Sequence, residues 1–197
     1  MKNIFATSDL HIHHANIIKY CNRPFASMEE MDNILIANWN SVVKPEDEVY
    51  LLGDFVWTKS EEDLNSITLR LNGSKHLVLG NHDYFPKEVY LEAGFVEVES
   101  GFIDVSVYSH QWIMCHYQMS HWNRSHFGTY HLFGHEHWRQ QYVPSHQIYS
   151  QLMWSERKFN VCVDANQFKP IGLKHIAKIL ESRDTNFQKK ENSQAST

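Results

Sequence analysis

The stretch Val49-Tyr50-Leu51-Leu52-Gly53-Asp54 decides the fold: an apolar run of strand-forming residues stops on a glycine and a carboxylate. The same arrangement recurs along the chain. Asn3 to Thr7 leads into Asp9-x-His11, His76 to Leu79 into Gly80-Asn81-His82-Asp83, Trp112 to Cys115 into His116, and Tyr130 to Phe133 into Gly134-His135-x-His137. Each run reads as a short buried strand. Strands lying side by side bring their ends to one edge, where open α/β sheets place their ligands, so residues far apart in sequence can share a site there.

Between the first three runs the pattern turns helical. Ser27 with Glu30 forms a capping box, and Met28, Met31, Leu35, Trp39 and Val42 mark one face of a helix that Lys44-Pro45 ends. A second helix spans Ser60 to Leu71, with Leu64, Ile67 and Leu71 inward and Asn72-Gly73 closing it. Strand and helix in alternation predict parallel strands joined by crossovers. From Phe95 the rhythm changes: Phe95 to Val98, Ile103 to Tyr108 and Trp112 to His116 are separated by short turns, which predicts antiparallel hairpins in a second sheet. Phe159 to Val163 predicts a further strand, and Leu173 to Ser182 a last helix with Leu173, Ile176, Ile179 and Leu180 inward. The stretch from Trp138 to Arg157 has no clear period. The polar chain beyond Arg183 reads as disordered, which leaves one domain over 1–183 and a tail over 184–197.

Composition narrows the function. A length of 197 residues supplies one substantial core, and no apolar run approaches the roughly 18 residues of a membrane span. A candidate ligand at position 9 leaves no room for a removable signal peptide, so a cytoplasmic location is the expectation. Cys21, Cys115 and Cys162 lack Cys-x-x-Cys spacing and read as reduced core residues. The formal charge of −5 argues against long double-stranded nucleic acid and favours a small or single-stranded partner. Oligomeric state is left open.

The clusters supply the carboxylates, imidazoles and amide oxygen that two divalent ions about 4 Å apart require. Asp54 is the candidate bridge, with Asp9, His11 and His137 on one ion and Asn81, His116 and His135 on the other. Two dications outweigh two carboxylates and one hydroxide, so the centre would attract a phosphate although the chain is acidic. His82 follows a ligand directly and is free to protonate the leaving oxygen or to stabilise phosphoryl charge during in-line attack. Asp83 either orients His82 or caps the next helix. The mixed donor set exceeds a closed tetrahedral zinc site; it suits manganese first, with iron, nickel, cobalt or zinc as alternatives.

In this order the five blocks, which span residues 9 to 137, resemble the signature of the calcineurin-like metallophosphoesterases. The resemblance implies a four-layer α/β/β/α sandwich with two central mixed β-sheets flanked by helices. It implies a dinuclear site of the seven ligands named above and His82 as the catalytic imidazole. The activity it implies is hydrolysis of a small phosphomonoester or phosphodiester, nucleotides and cyclic nucleotides included, by in-line attack of a hydroxide that bridges the ions. Ser8 to Phe25 and His131 to His137 resemble compact single-domain members from bacteria and phages.

Some positions depart from relatives. The protein serine/threonine phosphatase branch carries an Arg soon after Gly-Asp, where this chain has Phe55-Val56-Trp57, which argues against protein phosphatase activity. His13 and Gln118 stand where the compact group has Gly and Pro. His13 either reaches the phosphate or is simply exposed, and His14 lines the site or caps the segment after it. Arg23 clamps a phosphate bidentately or makes a structural salt link. Trp57, Tyr84, Tyr117, Trp122 and Phe127 offer faces for a nucleobase or pack in the core. Two other functions compete: a nuclease acting on short single-stranded ends, and a non-catalytic interaction module on the same fold. The latter could shed metal ligands or the catalytic imidazole, and this chain has kept both.

Overall fold

In a computed structural model of the protein, residues 2–137 and 157–194 are described, those from 184 onward as backbone only. One sheet is built from β1 (Ile4–Thr7), β2 (Glu48–Leu52), β3 (Ser74–Val78) and β4 (Phe95–Glu99), all parallel, in the order β4-β3-β2-β1. The other runs β5 (Phe102–Val107), β6 (His110–Cys115), β7 (Tyr130–Phe133), β8 (Lys158–Asn160), with β5 antiparallel to β6 and the remaining pairs parallel. The short β9 (Ile171–Gly172) extends the first sheet antiparallel to β1. Helices α1 (Ala15–Tyr20), α2 (Met28–Val42), α3 (Glu61–Arg70), α4 (Lys87–Glu92) and α5 (Leu173–Gln194) flank these two mixed sheets.

Alternation along the strands separates two cores. Val49 and Leu51 of β2 and Leu77 of β3 pack with Met31, Leu35 and Trp39 of α2 and Leu64 and Ile67 of α3. Their neighbours on the opposite face, Tyr50, Leu52 and Val78, meet Trp112, Met114, Tyr130 and Leu132 of the second sheet and Leu173, Ile176 and Leu180 of α5. Ser27 caps α2 by accepting from the Glu30 amide, and Glu30 returns a bond to the Ala26 amide, one residue before the expected position. Met28, expected on the buried face, is exposed in the first turn.

One expectation needs correction. The strand at Phe95 joins the first sheet, not the second: the six residues of α4 supply a crossover, and β4 pairs parallel to β3. The antiparallel hairpin pattern therefore holds for β5 and β6, which turn through Tyr108 and Ser109 at φ 52° and 65°. The polar chain after Arg183 continues α5 to Gln194, since it holds helix-compatible residues and neither Gly nor Pro. The aperiodic stretch lies outside the described residues over 138–156, as do 195–197 of the tail. Among the described residues no helix is long and apolar enough to cross a membrane.

Because β1, β2 and β3 run parallel in one sheet and β6, β7 and β8 in the other, their C-terminal ends gather at one edge. A bridge between Ser8 and Cys162 ties the two sheets together there.

Candidate metal centre

The ligand loops begin where the strands stop. β1 ends at Thr7, so Asp9 and His11 lie beyond the strand, and each sits in left-handed backbone, at φ 58° and 51°. Asp54 (φ 56°) and His135 (φ 65°) do the same. Such conformations cost about 1–3 kcal/mol each and persist only when their surroundings hold them. Part of that support comes from Asp83, whose carboxylate accepts the amides of Asp54 (2.8 Å), Phe55 (3.0 Å) and Gly80 (2.7 Å). Asp83 thus fastens one ligand loop to the next. It does not cap α4, which starts after Pro86 without a side-chain bond, and these bonds replace the expected link to His82.

Glycine is required where these loops meet. A Cβ at Gly80 would run into Asp54 Oδ1, and one at Gly53 would lie 2.5 Å from His116 Nδ1. At Gly134 it would strike Ser8 Oγ and come within 2.7 Å of Asp9 Oδ2.

The side chains converge in two groups, Asp9 with His11 and His137, and Asp54 with His116 and His135, the donor atoms of each within 4.8 Å of one another. Asp54 Oδ2 faces both, 3.3 Å from His11 Nε2 and 3.8 Å from His116 Nε2. Asn81 Oδ1 lies 3.0 Å from His116 Nε2, and His137 Nε2 is 3.6 Å from Asp9 Oδ1. Asp9, His11, Asp54 and His116 are buried. His11 Nε2 is buried yet has no hydrogen-bond partner among the described residues, an omission that costs about 1–3 kcal/mol unless another species fills it. A divalent cation fits that unpaired nitrogen and the oxygen and nitrogen donors around it.

The electrostatics agree. Burial, then the charges of His137 and Arg23, hold the His11 ring well below the ordinary histidine range and keep it in its neutral, ligating form. Burial pushes the Asp54 carboxyl up; His116 opposes the shift and Asp9 adds to it. Two neighbouring carboxylates with too little positive charge tend to keep a proton, and a cation between them would replace it.

Further contacts aim the ligands. His116 Nδ1 bonds the Leu52 carbonyl at 2.8 Å, which directs Nε2 toward Asn81 and Asp54. His137 Nδ1 bonds Asp164 Oδ2 at 2.8 Å, and the same carboxylate takes Arg23 Nε at 3.0 Å and Nη2 at 2.8 Å. Burial disfavours a charged His137, but its bonds to Asp164, Cys162 and Cys21 outweigh this and raise its pKa. The Cys162 thiol lies 3.5 Å from Asp164 Oδ2, so it takes part in this polar network and is not the passive core residue expected. Ser8 Oγ donates to Asp9 Oδ2. The sequence reading missed Asp164 and Ser8, although a signal for Asp164 was present: Phe159 to Val163 is a sixth apolar run that ends on a carboxylate.

His82 belongs to neither ligand group. Its amide donates to Asp54 Oδ1 at 2.9 Å, its ring centre is 5.5 Å from that of His11, and its Nδ1 lies 3.4 Å from the Tyr84 hydroxyl. His14 Nδ1 caps α1 by accepting from the Ile17 amide, and its ring lies 5.5 Å from that of His11. Trp57 packs 4.2 Å from His14 and 5.2 Å from His82, while Tyr117 stands 4.8 Å from His135.

Three suggested phosphate or base contacts lie elsewhere. His13 turns to Asp32 on α2, with Nε2 3.7 Å from its carboxylate. The Arg23 guanidinium is buried and spent on Asp164, the Asp9 and Leu10 carbonyls and Met31 Sδ, so it is a structural link rather than a phosphate clamp. Trp122 donates to the Thr129 carbonyl and packs on His131 over the second sheet.

A family model for calcineurin-like phosphoesterases matches residues 2–186. The chain belongs to this family. An uncharacterized protein of Methanocaldococcus jannaschii is 32% identical over 182 residues, 92% of this chain and 93% of that one. The gene 66 protein of Mycobacterium phage D29 is 38% identical over 95 residues, 47% of this chain and 46% of its own. Among solved structures, a protein of unknown function from Aquifex aeolicus shares the fold with a TM-score of 0.71 at 24% identity, covering 91% of this chain and 100% of that one. Calcineurin-like phosphoesterases act on phosphate esters and bind divalent metals, and the two groups at the sheet edge are candidate positions for such ions among the described residues.

Proposed function

We propose that the chain is a dinuclear metal-dependent phosphohydrolase that cleaves a small phosphomonoester or phosphodiester. The observation that carries this reading is Asp54, one carboxylate oxygen of which faces His11 Nε2 and His116 Nε2 together, as a bridging ligand must. Asp9, His11 and His137 would hold one ion, Asn81, His116 and His135 the other, and Asp54 both. When bound, the ions supply Lewis-acid polarisation of a phosphoryl oxygen and a water made nucleophilic near neutral pH. Hard oxygen donors mixed with imidazole favour manganese, with iron, nickel, cobalt or zinc as alternatives.

The chain's own contribution beyond ligation centres on His82. Its amide is anchored on Asp54, so the ring is held beside the donor groups without belonging to them. With Nδ1 near Tyr84, Nε2 is the nitrogen left to donate a proton to the leaving oxygen. His82→Ala is expected to keep two metals per chain by elemental analysis while turnover falls about 10²- to 10⁴-fold. Asp54→Asn is expected to lower the occupancy of both positions. Parental turnover by His82→Ala refutes the proton-donor role. A metal-replete parent that hydrolyses no phosphomonoester, cyclic nucleotide, dinucleotide or short single strand points to the non-catalytic module.

A further inference from the structure

We propose that the cleft beside His82 is a nucleobase subsite for the leaving group, which makes the substrate a phosphate ester with a nucleoside as its departing alcohol. The leaving-group assignment rests on the phosphohydrolase reading; the base-binding property does not.

Trp57, Thr58, Lys59, Tyr84 and Phe85 line a cleft of about 670 Å³, a volume suited to a nucleotide and excessive for a phosphate alone. Trp57 is 38% exposed and Tyr84 50%, whereas Trp39 and Trp112 are fully buried in the cores. The two exposed rings stand 5.4 Å apart at 77°. They form a corner, too close for a sandwich, so one planar ring can stack on either face and meet the edge of the other.

His82 joins this corner to the ligand groups: its ring lies 5.2 Å from Trp57 on one side and 5.5 Å from His11 on the other. The oxygen that it protonates is therefore the one whose substituent enters the cleft. Lys59 is exposed on the cleft wall and holds no ion pair among the described residues, which favours an anionic ligand on a chain of net charge −5. Thr58 Oγ1 is already engaged, donating to Asp63 and accepting from the Ser60 amide. The walls therefore present faces more than donors, and the cleft accepts any base.

The test uses the metal-loaded full chain. Tryptophan fluorescence is followed by stopped flow, before turnover, on mixing with adenosine monophosphate or with ribose 5-phosphate. The nucleotide is expected to quench saturably and to bind about five- to a hundredfold more tightly than the sugar phosphate. The quench should disappear in Trp57→Phe, which retains a stacking face, and Tyr84→Ala should weaken nucleotide binding several-fold. In turnover, Trp57→Ala should raise KM for a dinucleotide at least tenfold more than for a phosphodiester with an aliphatic leaving group. Equal binding of the two ligands, or a quench that survives in Trp57→Phe, overturns the proposal. Base-dependent quenching without hydrolysis of any ester refutes the phosphohydrolase reading and the leaving-group role with it; hydrolysis without base dependence refutes the subsite alone.

Discussion

Asp164→Asn separates what holds the fold together from what aims a ligand. The Asp164 side chain is fully buried, as is that of Arg23, and it accepts three nitrogen donors: Arg23 Nε, Arg23 Nη2 and His137 Nδ1. An amide keeps the shape but not the charge. If its NH₂ replaces Oδ1 it faces Arg23 Nε–H; if it replaces Oδ2 it faces Arg23 Nη2 and His137. Either orientation leaves the guanidinium charge uncompensated, which costs about 3–5 kcal/mol. For a chain of this size that corresponds to a drop in Tm of about 6–20 °C. With NH₂ at Oδ2, His137 must also accept at Nδ1, which moves its proton to Nε2, the nitrogen that faces Asp9. Titration calorimetry is expected to show affinity about 10–100-fold weaker at the His137 position, with the Asp54–His116–His135 group close to parental. Removing both charges, as in Arg23→Met with Asp164→Leu, should restore much of the stability without restoring that metal affinity. The pH dependence has a definite sign. Burial raises the Asp164 pKa, but His137 and Arg23 outweigh it, so the net shift is downward. A depressed carboxylate contributes stability above its unfolded pKa, about 3.9, and loses it as pH falls through the folded value, so the acid-side loss expected of the parent from this group should be absent in Asp164→Asn. Thermal melts within about 2 °C of the parent, together with parental affinity at both positions, would refute this account.

Gly80→Ala places a Cβ against Asp54 Oδ1 and 2.6 Å from the Asp54 amide, so it should displace the carboxylate proposed as the bridge and cost about 1–3 kcal/mol in melts, with occupancy of both proposed metal positions lowered in elemental analysis. His131 is fully buried, with Nδ1 2.9 Å from the Ile113 carbonyl and Nε2 accepting the Met119 amide, a pairing that only a neutral ring satisfies. Burial lowers its pKa to about 4, so stability present above the unfolded pKa near 6.5 is lost as pH falls toward 4, by about 3 kcal/mol at pH 4; His131→Asn should flatten that part of a pH-stability profile measured by urea unfolding.

The sequence discloses the candidate ligands because each follows a run that only a buried strand explains, and parallel pairing turns five such run ends into one edge. It does not disclose what the ligands lean on. Arg23 meets Asp164 across 141 positions, and neither residue type indicates its partner, so a guanidinium near the first cluster reads equally well as a phosphate clamp. Asp83 adjoins His82 in sequence, yet its carboxylate turns to three backbone amides, an arrangement set by loop geometry rather than by spacing. The allegiance of β4 was hidden for a different reason: α4 is only six residues long, too short for the amphipathic period that marks α2 and α3.

The strained backbone at the site explains why the ligand types and the loop architecture go together. Asp and His are among the few non-glycine residues that enter left-handed backbone with some frequency, and Asp9, His11, Asp54 and His135 all do so. Each of the four also gives its own amide to another part of the cluster: Asp9 to the Gly53 carbonyl, His11 to the Asp54 carbonyl, Asp54 to the Asp83 carboxylate, and His135 to the Asp9 carboxylate. Relaxing one residue would therefore strip an acceptor or donor from the next, so the loops hold their strained geometry as a unit rather than singly. Metal binding to such a frame needs little ordering of the chain, because backbone hydrogen bonds that require no ion already aim four of the donor side chains.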